Sequence, residues 1–200
     1  MKSSNSLKKN LLAALIMIGY YPNTCAEEVP DHVCDPCEPK EFGRIRSFGF
    51  IDKSFAFAND DKTNATEWLR GIEEGKIFII PNSRGELGEP AENLLPGYGN
   101  VEEELVNYTN TATLYDPNYA SNCSFYNKIK KVRNQYYAFL VTSSKVHITP
   151  VPTLIVPKQI FADDLKTVID WKVVVKWVSE DLLCPIEIPD GVFENCFTQE

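Results

Sequence analysis

The sequence predicts a mainly β fold, a β-sandwich or open barrel with one or two short flanking helices. Three observations carry this. Several segments alternate in the period of two that a half-buried strand requires. The clearest is Thr167 to Trp177, with Trp171, Val173, Val175 and Trp177 on one face and Lys172, Val174 and Lys176 on the other. Pro, Gly, Asn and Asp gather between such segments, where the chain must turn. Helical spacing with capping signals occurs in only two short stretches. With 200 residues, 44% of them hydrophobic, the chain suits one domain plus an N-terminal appendage and can bury a core without staples.

Met1 to Ala26 begins with lysines, runs through an apolar stretch from Leu11 to Tyr21 and ends in Thr24-Cys25-Ala26. That small-x-small ending is the kind a signal peptidase cuts, and the apolar run is short for a membrane-spanning helix. Two readings stand: an export signal removed before Glu27, or an arm retained for docking through Leu11, Leu12, Leu15, Ile16 and Ile18. Residues 27–41 form a Cys-, Pro- and acid-rich leader, residues 42–183 a β-rich domain, and residues 184–200 an irregular tail.

Within the domain, Arg44, Arg46, Phe48 and Phe50 alternate with Ile45, Ser47, Gly49 and Ile51, which predicts a first strand. Asp52-Lys53 turns it into a second, Ser54 to Ala58. Asn64 with Glu67 three residues on resembles a capping box. It opens a helix from Ala65 to Glu74 that is expected to bury Trp68, Leu69 and Ile72 and to stop at Gly75. Lys76 to Ile80 reads as a strand ended by Pro81. Residues 82–99 read as a long Gly- and Pro-rich loop, a length that points to contact with a partner, and Leu94, Leu95 and Tyr98 are its apolar contact candidates.

Val101 to Tyr115 is expected as a long strand with apolar stops at Leu105, Tyr108, Thr111 and Leu114. Ala120 to Arg133 suits a short helix with Phe125, Tyr126, Ile129 and Val132 on one side. Tyr136 to Thr142 and Lys145 to Thr149 make a hairpin, and Thr153 to Val156 is a short strand between prolines.

The formal charge of −8 disfavours phosphate backbones as partners. Lys128, Lys130, Lys131 and Arg133 are the nearest approach to a basic patch, and they read as the wet face and C-terminal end of a helix. No nucleic-acid partner and no stable membrane span are expected.

The six cysteines are Cys25, Cys34, Cys37, Cys123, Cys184 and Cys196. Cys34-Asp35-Pro36-Cys37 has CxxC spacing, but no strand precedes it, and nearby carboxylates raise thiolate pKa values. Both features argue against redox catalysis. A zinc site at Cys34 and Cys37 needs two more ligands, which Cys184 and Cys196, or His32, could supply; Cys34, Cys37, Cys184 and Cys196 are weak metal-ligand candidates because the C-x₁₁-C spacing is not that of a zinc knuckle. The same four are disulfide candidates if the chain is exported, and unpaired thiols if it is not.

No catalytic constellation is legible. His32 and His147 are far apart, and His147 sits in an alternating Val-His-Ile run. Nucleophile elbows, zinc-protease helices, Walker loops and calcium loops are missing. Gly97-Tyr98-Gly99 lacks the preceding strand and third glycine of a dinucleotide site. Asp60-Asp61 and Asp163-Asp164 read as solubility or helix-start charge. No cofactor is implied. Asn64, Asn107 and Asn122 match the N-glycosylation pattern, which matters only in a secreted eukaryotic chain.

The start RIRSFGFID, the block TEWLRGIEEGKIFIIPNSRGELG, the block LYDPNYASNCSFYNKIKKVRNQYYAF and the run DLKTVIDWKVVVKW together resemble structural proteins of tailed bacteriophages, the tail-tube and neck-ring subunits. The resemblance is one of overall texture. It implies a β-sandwich with a flanking helix that joins itself and other structural proteins into symmetric oligomers within a virion assembled in the host cytoplasm, and no enzymatic activity. The leader, read as an export signal, implies instead a periplasmic or secreted binding or adhesion domain held by disulfides.

Overall fold

Ten strands and two α-helices make up the computed structural model, which describes residues 43–97, 99, 102–161 and 169–193. All of these lie in the unit Lys40–Glu200. β1 (Ser47–Asp52), β2 (Ile77–Ile80), β6 (Tyr136–Val141), β7 (Lys145–Ile148) and β10 (Pro185–Glu187) form sheet A, in the order β10-β7-β6-β1-β2. β3 (Arg84–Leu87), β4 (Ala91–Leu95), β5 (Glu104–Asp116), β8 (Leu154–Ile160) and β9 (Asp170–Ser179) form sheet B, in the order β3-β5-β9-β8, with β4 also on β5. All the strand pairings are antiparallel. The mainly β, sandwich-like fold with two short helices is as the sequence predicts.

Alternation places the core. Phe48, Phe50, Ala138 and Leu140 of sheet A meet Ala112, Leu114, Val173, Val175 and Trp177 of sheet B. The opposite face of sheet A is also covered, so β1 is buried on both sides. There Ile51, Ile77, Phe139, Val141 and Val146 pack under α1 (Ala65–Glu73) and the segment bearing Val192 and Phe193. Trp68 anchors that layer, its ring 5.1 Å from Phe139 and 5.4 Å from Phe193, with Nε1 donating to the Lys62 carbonyl at 2.8 Å. α2 (Cys123–Ile129) inserts Tyr126 and Ile129 into the inter-sheet core.

Several elements differ from expectation. No strand forms over Ser54 to Ala58, because the Asp52 carboxylate accepts from both the amide and the hydroxyl of Ser54 and folds the chain into a turn. Glu67 does not return to Asn64 but accepts from the Ala58 amide and from Arg70, while Asn64 caps through the Thr66 amide. α1 buries Trp68 and Gly71, and leaves Leu69 and Ile72 exposed. A Cβ at Gly71 would come within 2.5 Å of Ile77, and this close seat turns the two larger residues to the shoulders.

The buried face of β5 is Asn110, Ala112, Leu114 and Asp116, not the period-three set expected, since successive residues point to opposite faces and only one face of β5 meets the core. α2 is shorter than foreseen and leaves Val132 exposed beyond its end. β8 continues through Pro157, which is tolerated because β8 is an edge strand. The tail contributes β10. The largest difference lies in residues 82–99, which are not a structureless loop but contain β3 and β4, zipped end to end along one edge of β5.

Candidate functional site

β5 is thirteen residues long, and β9 pairs only with Tyr108–Asp116 of it. The first four residues, Glu104 to Asn107, pair with β4 alone. β4 and the start of β5 therefore project as a two-stranded ribbon about 13 Å beyond the rest of sheet B, at roughly 3.3 Å per residue. The root is clamped by side chains: Asn93 Nδ2 donates to Asn107 Oδ1 at 2.6 Å and to Thr109 Oγ1 at 2.9 Å. Below it, Asn110 Nδ2 donates to Ser179 Oγ at 3.4 Å.

The register shifts between Asn93 and Leu94, a bulge that leaves Val106 without a direct partner. Beyond the bulge Leu94 faces Leu105, and Leu95 faces Glu104. Neighbouring rungs point to opposite faces, so both faces of the ribbon carry leucine. Leu94, Leu95, Leu105 and Val106 are between 36% and 57% exposed. Among the described residues the outer edge of β4 has no strand beside it. Edges are normally blunted by proline or inward charge. β8 carries Pro157 in this way, whereas β4 reads Ala-Glu-Asn-Leu-Leu with no proline inside it. A proline-free edge beside an apolar ribbon is the geometry that strand addition by a second chain uses.

A second feature lies on the outer side of sheet A. A cleft of about 580 Å³ is walled by Ile51, Phe55, Phe57, Tyr137, Ile148 and Ile186, with Leu182 and Cys184 beside it. Asp60 and Lys62, 3.4 Å apart, also line it. It has concave apolar walls and a single ion pair.

Of the interface residues expected from sequence, Leu94 and Leu95 stand together on β4. Leu11, Leu12, Leu15, Ile16, Ile18 and Tyr98 lie outside the described residues, as do the leader and residues 162–168. Leu105 and Val106, exposed on the same ribbon, are not among the residues expected from sequence, because they sit in a segment that reads as an ordinary core strand. Cys184 is an exposed free thiol, as is Cys123. Cys34, Cys37, Cys196 and His32 lie outside the described residues, so the proposed pairings and zinc set fall there too. Among the described residues no group of three His, Cys, Asp or Glu is placed to hold a metal, and no helix is long and apolar enough to cross a membrane.

His147 sits half-buried in β7, opposite Leu140 on one side and Pro185 on the other. Asp61 accepts from the Thr63 hydroxyl and amide, which lowers its pKa, and works as a turn residue. Asp163 and Asp164 lie outside the described residues. Asn122 donates its amide Nδ2 to Asp116 at 2.7 Å, whereas Asn107 enters the ribbon clamp through its Oδ1.

No protein family matches this chain, and no similar curated protein or solved structure was found.

Proposed function

We propose that this chain is a non-enzymatic assembly subunit that joins copies of itself into a symmetric oligomer through the β4–β5 ribbon. The observation that carries it is the ribbon, which projects past its sheet with leucines on both faces and an outer edge that has no partner strand among the described residues. The virion proteins of tailed phages, which the sequence resembles in texture, are the class of assembly this reading favours. The test is sedimentation velocity of the full chain over a range of concentrations, beside a Leu95→Asp/Leu105→Asp variant. The wild type is expected to sediment as a discrete oligomer and the variant as a monomer with an unchanged melting temperature. A wild type that stays monomeric at high concentration contradicts the proposal.

A second reading, an exported binding domain, is favoured by the apolar cleft lined by Leu182 and Cys184. It predicts a mature chain that begins at Glu27 and resists alkylation at Cys184. Intact mass with and without thiol alkylation separates the two.

A further inference from the structure

The outer face of sheet B carries a second surface that complements the ribbon. Arg84 of β3 lies opposite Tyr115, Tyr115 opposite Lys172, and Lys172 opposite Lys158, so one rung across four strands reads Arg-Tyr-Lys-Lys. The Arg84 guanidinium sits 5.0 Å from the centre of the Tyr115 ring, and the Lys172 ammonium lies 6.0 Å from it. Asp170 holds Arg84 at 2.7 Å, while no carboxylate among the described residues pairs with Lys172 or Lys158.

Like charges directly opposite on neighbouring strands repel, and the row stands in a chain whose net charge is −8. The next rung on the same face is Glu86, Thr113, Val174 and Val156, and the one after it contains Lys176 and Leu154. The face is thus a cationic row bordering half-buried aliphatic side chains.

The ribbon is the reverse in charge and alike in apolar character. No Lys or Arg occurs between Arg84 and Lys128, and Glu92, Glu102, Glu103 and Glu104 are exposed on the ribbon and beside it. The geometry points to a head-to-tail contact in which the ribbon of one copy lies on the outer face of sheet B of the next. Glutamates meet Lys158 and Lys172, and leucines meet Val156 and Val174. The two surfaces are different patches of the same chain, so the contact is heterologous. It builds a ring if the rotation closes and a filament if it does not. This inference rests on the assembly reading and names the surface that receives the ribbon.

Charge swapping tests it on the full chain. Lys158→Glu/Lys172→Glu and Glu102→Lys/Glu103→Lys/Glu104→Lys are each expected to weaken self-association at least tenfold. Mixing the two variants, or combining all five changes in one chain, is expected to restore it. Wild-type association is expected to weaken as salt rises. Lys158→Gln/Lys172→Gln, which adds no negative charge, is expected to fall between wild type and the reversal, and melting curves verify folding.

If the wild type and both reversals associate equally while Leu95→Asp/Leu105→Asp is monomeric, the ribbon seats elsewhere and this inference is overturned with the assembly reading intact. The same holds if the lysine row instead serves an anionic polymer, since its reversal would then leave self-association unchanged. Weakening without restoration by the combined chain overturns the pairing of these two surfaces. A wild type that never associates overturns the assembly reading itself.

Discussion

Asp116 shows how one residue fixes a whole corner of the molecule. Its carboxylate is fully buried at the end of β5 and accepts from the Asn118 amide at 2.8 Å, Asn122 Nδ2 at 2.7 Å and the Tyr126 hydroxyl at 2.9 Å. A buried carboxylate survives only when donors of this kind surround it. Tyr126→Phe removes one of them and is expected to cost about 1.5–3 kcal/mol in denaturant unfolding, the range for hydrogen bonds to charged groups. Burial first, and the adjacent Asp116 charge second, push the Tyr126 phenol far above its ordinary range. A pKa raised on folding means stability that is complete below the unfolded tyrosine value, about 10, and is lost as pH climbs above it. Wild-type stability should therefore fall above about pH 10 more steeply than that of Tyr126→Phe.

The acid limb has the opposite sign. Arg70 and the Ala58 amide hold Glu67 below its usual pKa. At Asp52 burial works the other way, but Ser54 and Lys76 outweigh it. Both groups lend stability above the unfolded carboxylate range, about 4, and lose it as pH falls further. Gly49 is fixed by space alone, since a Cβ there would lie 2.1 Å from the Phe78 carbonyl oxygen and 2.3 Å from the Phe139 ring. Gly49→Ala should destabilise by about 1–3 kcal/mol, the cost of overpacking, as read by chemical denaturation.

At the scale of elements, what the sequence makes legible is what alternation encodes. β9 announces itself through Trp171, Val173, Val175 and Trp177, all of them buried. The helix at Asn64 and its stop at Gly75, where φ is +66°, follow from capping chemistry that needs only local residues. β3 and β4 were hidden for the converse reason. Arg-Gly-Glu-Leu and Ala-Glu-Asn-Leu-Leu have little β preference of their own, and they become strands because β5 offers a long unpaired edge.

The same non-local cause hid the site. Leu94 and Leu95 stand out in the sequence, but that Leu105 lies opposite Leu94 depends on a register no local pattern states. Leu95→Asp and Leu105→Asp should each change unfolding free energy by no more than about 0.5 kcal/mol, because both residues are exposed on a projecting element. A large loss of stability from either would mean that the ribbon belongs to the fold and not to an interface.

For the molecule as a whole, sheet A is covered on both faces, by sheet B and by the layer of α1 with Val192 and Phe193. Among the described residues, sheet B has one covered face and one that faces outward. That asymmetry leaves β4, the ribbon and the lysine row as surfaces that internal packing does not consume. A free strand edge gains main-chain hydrogen bonds when another chain adds to it, and its amides then exchange slowly with solvent.

Hydrogen–deuterium exchange of the full chain at dilute and at high concentration measures this at the residues concerned. Protection that rises with concentration across residues 91–107, against little change in the sandwich core, is the predicted result. Exchange in the ribbon that stays fast at every concentration, or protection that appears only elsewhere, would contradict assembly through it.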